Sequence, residues 1–138
     1  MGTRILSSVR NNGKGIMDMK KILVVDDSAI NLKMADKVLK ENEAYKPVLV
    51  PSGERAFKFL EKNRPDLILL DIMMPEMDGF EVLERLRADQ AAKDIPVVFL
   101  TADEEPETRE RAEAAGVQDI VMKPFKKEEL LSVVAKYC

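Results

Sequence analysis

Three carboxylates, one hydroxyl and one ammonium stand where apolar runs of this sequence stop. "ILVV" (22–25) runs into Asp26 and Asp27, and "LILL" (67–70) into Asp71. "PVVFL" (96–100) runs into Thr101, and "DIVM" (119–122) into Lys123 and Pro124. Runs that apolar are buried on both faces, and a charge at the end of one is costly unless that end opens into a polar site. Asp71 therefore either caps a neighbouring segment or is the working end of its strand. Three carboxylates within a few ångströms would raise one another's pKa, and a divalent cation relieves that repulsion. The chain has no histidine, so a metal here must be held by oxygen, which favours a hard ion such as Mg²⁺. A phosphoryl group arriving on Asp71 would find the metal, the Lys123 ammonium and the Thr101 hydroxyl ready to neutralise its oxygens. The set fits metal-assisted phosphoryl acceptance with Asp71 as nucleophile.

Such a set needs elements that bring strand ends together, and the pattern supplies them. Strands are expected at 21–25, 46–50, 67–70, 96–100 and 119–122. Helices are expected at 28–42, 52–63, 79–89, 105–116 and 127–137, with Ser28 and Ser52 as N-caps and Gly116 closing the fourth. Five βα units without repeats imply a parallel sheet with helices on both faces. In such sheets ligands sit at the carboxyl ends of the strands, near the point where strand order reverses. Strand two ends in the uncharged Pro51 and Ser52, so the chemistry gathers on strands one, three, four and five.

Composition narrows the class. The 138 residues are 46% apolar and 34% charged, which suits one soluble globular domain. No apolar run reaches the roughly 18 residues of a membrane span. Cys138 is the only cysteine, so no internal disulfide forms, and a reducing, cytoplasmic setting is expected. Residues 1–21 hold Arg4, Arg10, Lys14, Lys20 and Lys21 against Asp18, a net +4, leaving −7 for the remainder of a chain at −3. An acidic body argues against nucleic acid as a direct partner. Residues 1–19 have no period and include "NNGKG", and are expected to be a disordered tail before a domain at 20–138. Met17 and Met19 leave open whether that tail is native or a leader.

"ILVVDDS", "LILLDIMMPEMDGFEVLERLR", "IPVVFLTA" and "KPF", in order and over roughly residues 20–138, resemble the receiver domain of two-component response regulators. The resemblance implies a flavodoxin-like doubly wound (βα)5 fold with strand order 2-1-3-4-5. It implies Asp71 as phosphoacceptor, Asp26 and Asp27 as the acidic metal pair, Thr101 as the switch hydroxyl and Lys123 as the phosphate-binding lysine. Asp27, Asp71 and the Met73 backbone carbonyl would ligate Mg²⁺, with Asp26 acting largely through water, and Lys123–Pro124 would be cis. The implied partners are a histidine kinase or histidine phosphotransfer protein as donor, and a downstream effector met by the 105–137 face. Such a protein is a signalling phosphoacceptor that catalyses only its own phosphorylation and dephosphorylation.

Two positions depart from the family pattern. Ile120 stands three before the lysine, where the family usually has an aromatic ring, so the ring that follows the hydroxyl inward is absent. Met73 and Asp103, two after Asp71 and Thr101, flank the attacking water in relatives; an apolar Met73 cannot orient it by a hydrogen bond, which leaves that to Asp103. Slow to moderate phosphate loss is expected.

Each feature also has a plainer meaning. Asp26 or Asp27 alone could cap the first helix, Lys123 alone could be a solvated charge, and Thr101 an ordinary strand-end hydroxyl. Pro75 and Gly79 shape a loop, the methionine run and Phe125 pack, and Cys138 is a free, frayed thiol. A receiver fold kept only as a phosphorylation-independent scaffold is the competing function, weighed down by the intact five-residue set. A haloacid-dehalogenase-type phosphatase would want an Asp where Met73 stands, and is rejected.

Overall fold

The computed structural model describes residues 19–138, so the expected tail, Met19 apart, lies outside the described residues. The elements run β1 (Lys20–Val25), α1 (Ala29–Leu39), β2 (Tyr45–Val50), α2 (Gly53–Leu60) and β3 (Leu67–Asp71). They continue α3 (Gly79–Ala88), β4 (Val97–Thr101), α4 (Pro106–Ala115), β5 (Asp119–Met122) and α5 (Lys127–Tyr137). All strand pairs are parallel and the sheet order is β2-β1-β3-β4-β5, as the resemblance implied.

The unbroken apolar runs are explained by what each face meets. Successive strand residues point to opposite faces. Leu23, Val25, Ile68, Leu70, Val97 and Phe99 face one core, closed by Ala56 of α2, by Val82, Leu83 and Leu86 of α3 and by Ala112 of α4. Ile22, Val24, Leu67, Leu69, Val98 and Leu100 face the other, closed by Ala35 and Leu39 of α1 and Leu130 and Val134 of α5. With helices on both sides, no strand position in the centre is left for a polar residue. β2 lies at an edge, is only half-buried and tolerates Pro47.

Helix starts follow their caps. Ser28 and Ser52 accept from the backbone N–H of Asn31 and Arg55 at 3.3 and 3.1 Å, and Asp78 accepts from Glu81 N–H at 2.9 Å. The serines thus stand outside the helices they start, so α1 and α2 are shorter than the expected 28–42 and 52–63. α4 has no side-chain cap, begins at Pro106 and buries only Ala112, and Gly116 closes it at φ 85°. Cys138 is not frayed. Its N–H donates to Val134 O at 2.9 Å, and the residue packs against the α1–α5 core. Among the described residues no helix is long and apolar enough to cross a membrane.

One glycine sets the approach of α3 to the end of β3. Gly79 N–H donates to Ile72 O at 2.8 Å, folding residues 73–78 back beside Asp71. A Cβ at position 79 would lie 2.7 Å from the Asp71 carbonyl oxygen and 2.8 Å from Ile72 Cα, both backbone atoms that cannot swing aside. Gly79→Ala is therefore expected to cost about 1–3 kcal/mol, the usual scale of overpacking. The check is a lowered urea midpoint at unchanged slope, and an unchanged midpoint would refute the close approach.

Candidate functional site

The strand ends converge as the sequence pattern demands. Asp26, fully buried just beyond β1, accepts at Oδ1 from Ser28 N–H at 2.9 Å, which fixes its direction. Asp27 beside it is exposed. Asp71 is the last residue of β3 and is 3% exposed. Lys123, just beyond β5, sends its Nζ between the two buried carboxylates, 2.9 Å from Asp26 Oδ2 and 3.0 Å from Asp71 Oδ1. Only the approach to Asp71 is aligned as a hydrogen bond. Asp26 Oδ2 thus has an ionic neighbour but no directed donor, although it is buried. The peptide bond from Lys123 to Pro124 is cis, as implied.

Burial pushes the Asp71 carboxyl up to about 6, and the nearby Asp26 charge adds to this, while Lys123 and the Met73 N–H pull it back. For Lys123, burial works against the charge, but the two carboxylates beside it, Asp26 and Asp71, outweigh it and its pKa is raised. The ammonium therefore stays protonated at neutral pH.

The acidic set fits a hard cation. Asp26, Asp27 and Asp71 each offer an oxygen, all within 4.8 Å of one another. An oxygen-only cluster of this kind suits a hard cation such as Mg²⁺. The Met73 side chain is 68% exposed, so of the methionine run Met74 packs in the core and Met73 does not.

Thr101, 2% exposed, ends β4. Asp71 pairs in register with Leu100, so Thr101 lies one step further along the neighbouring strand. Its carbonyl accepts from Lys123 N–H at 2.9 Å, which holds it beside the set. Its hydroxyl accepts from Asp103 N–H at 2.9 Å. Four of the expected residues, Asp26, Asp27, Asp71 and Lys123, are thus brought together directly, and Thr101 joins through the backbone. What sequence reasoning missed is the turn next to Thr101. Asp103 accepts from Glu105 N–H at 2.9 Å and from the Thr108 hydroxyl at 2.6 Å. A carboxylate two before a backbone N–H was the available signal, since Asp side chains favour such turns.

The model of the response regulator receiver domain family matches residues 22–135. The heme response regulator HssR of Staphylococcus aureus is 42% identical over 113 residues, covering 82% of this chain and 49% of that protein. The chain thus spans about half the length of the curated relatives it matches. The chemotaxis protein CheY4 of Vibrio cholerae is 32% identical with a TM-score of 0.80, covering 87% of this chain and 99% of that one. The receiver domain of sensor histidine kinase PA1611 from Pseudomonas aeruginosa, solved with a magnesium ion in its active-site cleft, is 31% identical. Its TM-score is 0.78, covering 86% of this chain and 97% of that one.

Ionised Asp71 costs the metal-free protein stability. Its folded value of about 6 lies above the ordinary 3.8, so the folded state binds more protons between the two and stability falls as pH rises through that window. Asp71→Asn is expected to stabilise the metal-free protein at pH 7 by about 1–3 kcal/mol, with the gain fading to nothing below about pH 4. Urea midpoints of both proteins in EDTA at the two pH values decide it; a gain that is the same at both would exclude titration of Asp71 as its cause.

Proposed function

The chain belongs to the response regulator receiver domain family, and from that premise we propose that Asp71 is the residue that takes the phosphoryl group and residues 20–138 the domain that does so. The observation that carries this is Lys123, whose ammonium lies 3.0 Å from Asp71 Oδ1 and 2.9 Å from Asp26 Oδ2 at the carboxyl edge of the sheet.

The chain has no histidine, so the donor imidazole comes from outside it, from a histidine kinase or phosphotransfer protein. An Asp71 carboxylate oxygen attacks phosphorus and the P–N bond of the phosphoimidazole breaks. The electron pair goes to the imidazole nitrogen, which takes up a proton from solvent, and the product is an acyl phosphate on Asp71. Lys123 follows the negative charge onto a phosphoryl oxygen, and the Thr101 hydroxyl is the second donor once it turns from Asp103. Asp27, Asp71 and the Met73 carbonyl would hold Mg²⁺, with Asp26 acting through water, and the ion would neutralise the cluster and the incoming phosphoryl oxygens. A cytoplasmic setting and an effector meeting the 105–137 face complete the reading.

Hydrolysis needs an oriented water. Met73 offers no strong hydrogen-bonding group on its side chain, which leaves only Asp103, already holding Glu105 N–H and the Thr108 hydroxyl, to orient it. The acyl phosphate should therefore persist. Met73→Asn is expected to speed its loss several-fold in a timed dephosphorylation assay, whereas an unchanged rate would show that position 73 does not control the water.

The deciding measurement is intact mass after incubation with acetyl phosphate and Mg²⁺, beside an EDTA control and Asp71→Asn. One phosphoryl group gained, and absent from both controls, is expected. No gain in folded protein at any Mg²⁺ concentration would favour the phosphorylation-independent scaffold.

A further inference from the structure

A cleft of about 170 Å³ opens between the start of α4 and β5, outside the carboxylate set. Ile120 and Met122 of β5 and Thr101 of β4 line it from within, and Asp103, Glu104 and Glu105 line it at the α4 end. Cavities of about 150 Å³ hold a guest the size of benzene, so this cleft has room for one side chain.

Its rim is fixed before anything binds. Thr101 Oγ1 accepts from Asp103 N–H at 2.9 Å, and the Asp103 carboxylate accepts from Glu105 N–H at 2.9 Å and Thr108 hydroxyl at 2.6 Å. The Thr108 hydroxyl and the Glu105 N–H also hold the Asp103 carboxyl below its ordinary range, so it stays ionised at neutral pH. A rim pinned at these points loses little freedom on binding.

The lining holds three carboxylates, with Arg109 its one cation. An anionic guest is repelled, and a purely apolar one leaves the rim charges unanswered. A guest with an aliphatic stem and a cationic head satisfies both halves, the stem on Ile120 and Met122 and the head at the carboxylates. We propose that this cleft is the slot for one basic side chain, arginine or lysine, presented by a protein partner. The proposal deepens the reading of the 105–137 face as an effector surface, and does not need Asp71 to be phosphorylated.

The test is an NMR titration of the full chain in EDTA with N-acetyl-arginine amide, beside N-acetyl-leucine amide and N-acetyl-glutamine amide. The arginine probe is expected to shift the Thr101, Asp103, Glu105 and Ile120 amides saturably, the others far less. Glu104→Gln with Glu105→Gln should weaken that binding about five- to tenfold. Arg109→Gln, which removes the competing cation, should strengthen it, and Ile120→Phe should block it by filling the floor. Asp71→Asn should leave it unchanged, so failure here is separate from failure of the mass-gain test on Asp71. Equal binding of the leucine probe, or arginine shifts that spread over the acidic surface without saturating at these amides, would overturn the slot.

Discussion

Two buried carboxylates share one ammonium at the end of an otherwise apolar sheet, and the rest of the molecule is arranged around that trio. Asp26 and Asp71 are 0% and 3% exposed, and a buried carboxylate is costly without a partner. Lys123 makes the pair tolerable but does not neutralise it, since one positive charge faces two negative ones. The imbalance leaves the trio with a net negative charge, which favours a further cation over an anion. A third carboxylate, Asp27, stands exposed at the mouth and completes the oxygen set.

Much of this was legible because a strand covered on both faces leaves a distinctive trace. "LILL" and "VVFL" are continuous apolar runs, so their ends stand out, and the residues that end them, Asp71 and Thr101, lie at the carboxyl edge where Lys123 meets them. Caps were equally plain, because Ser28 and Ser52 mark helix starts by their chemistry. What could not be seen was anything that depends on the relation between neighbouring strands. Register sets Thr101 one step beyond Asp71 and ties its carbonyl to Lys123, and no single run contains that information. The Asp103 turn was signalled only by an Asp in a polar loop, where many arrangements satisfy the same residues. The packing of Cys138 was equally hidden, because end position says nothing about burial when a helix packs to its last turn.

Gly79 shows how a position with no functional group governs one that has it. By letting the backbone of α3 touch the backbone of Asp71 and Ile72, it fixes the loop that carries Met73. The backbone beside Asp71 is thus held in part by main-chain contacts that leave no room for a side chain at position 79.

The anchoring of α4 has a different kind of consequence. This helix buries Ala112 alone and starts without a side-chain cap. Beyond that it leans on α3 through the Arg111 guanidinium, 3.8 Å above the Phe80 ring, which itself meets Phe99 edge-on at 5.1 Å. Helices held by so little apolar area open at a small fraction of the free energy of global unfolding. Amide exchange along α4 would then run far ahead of exchange in β3 and β4, with the core strands still closed. The lightly held part is the body of α4 beyond its pinned first turn, and the core strands need not open for it to move.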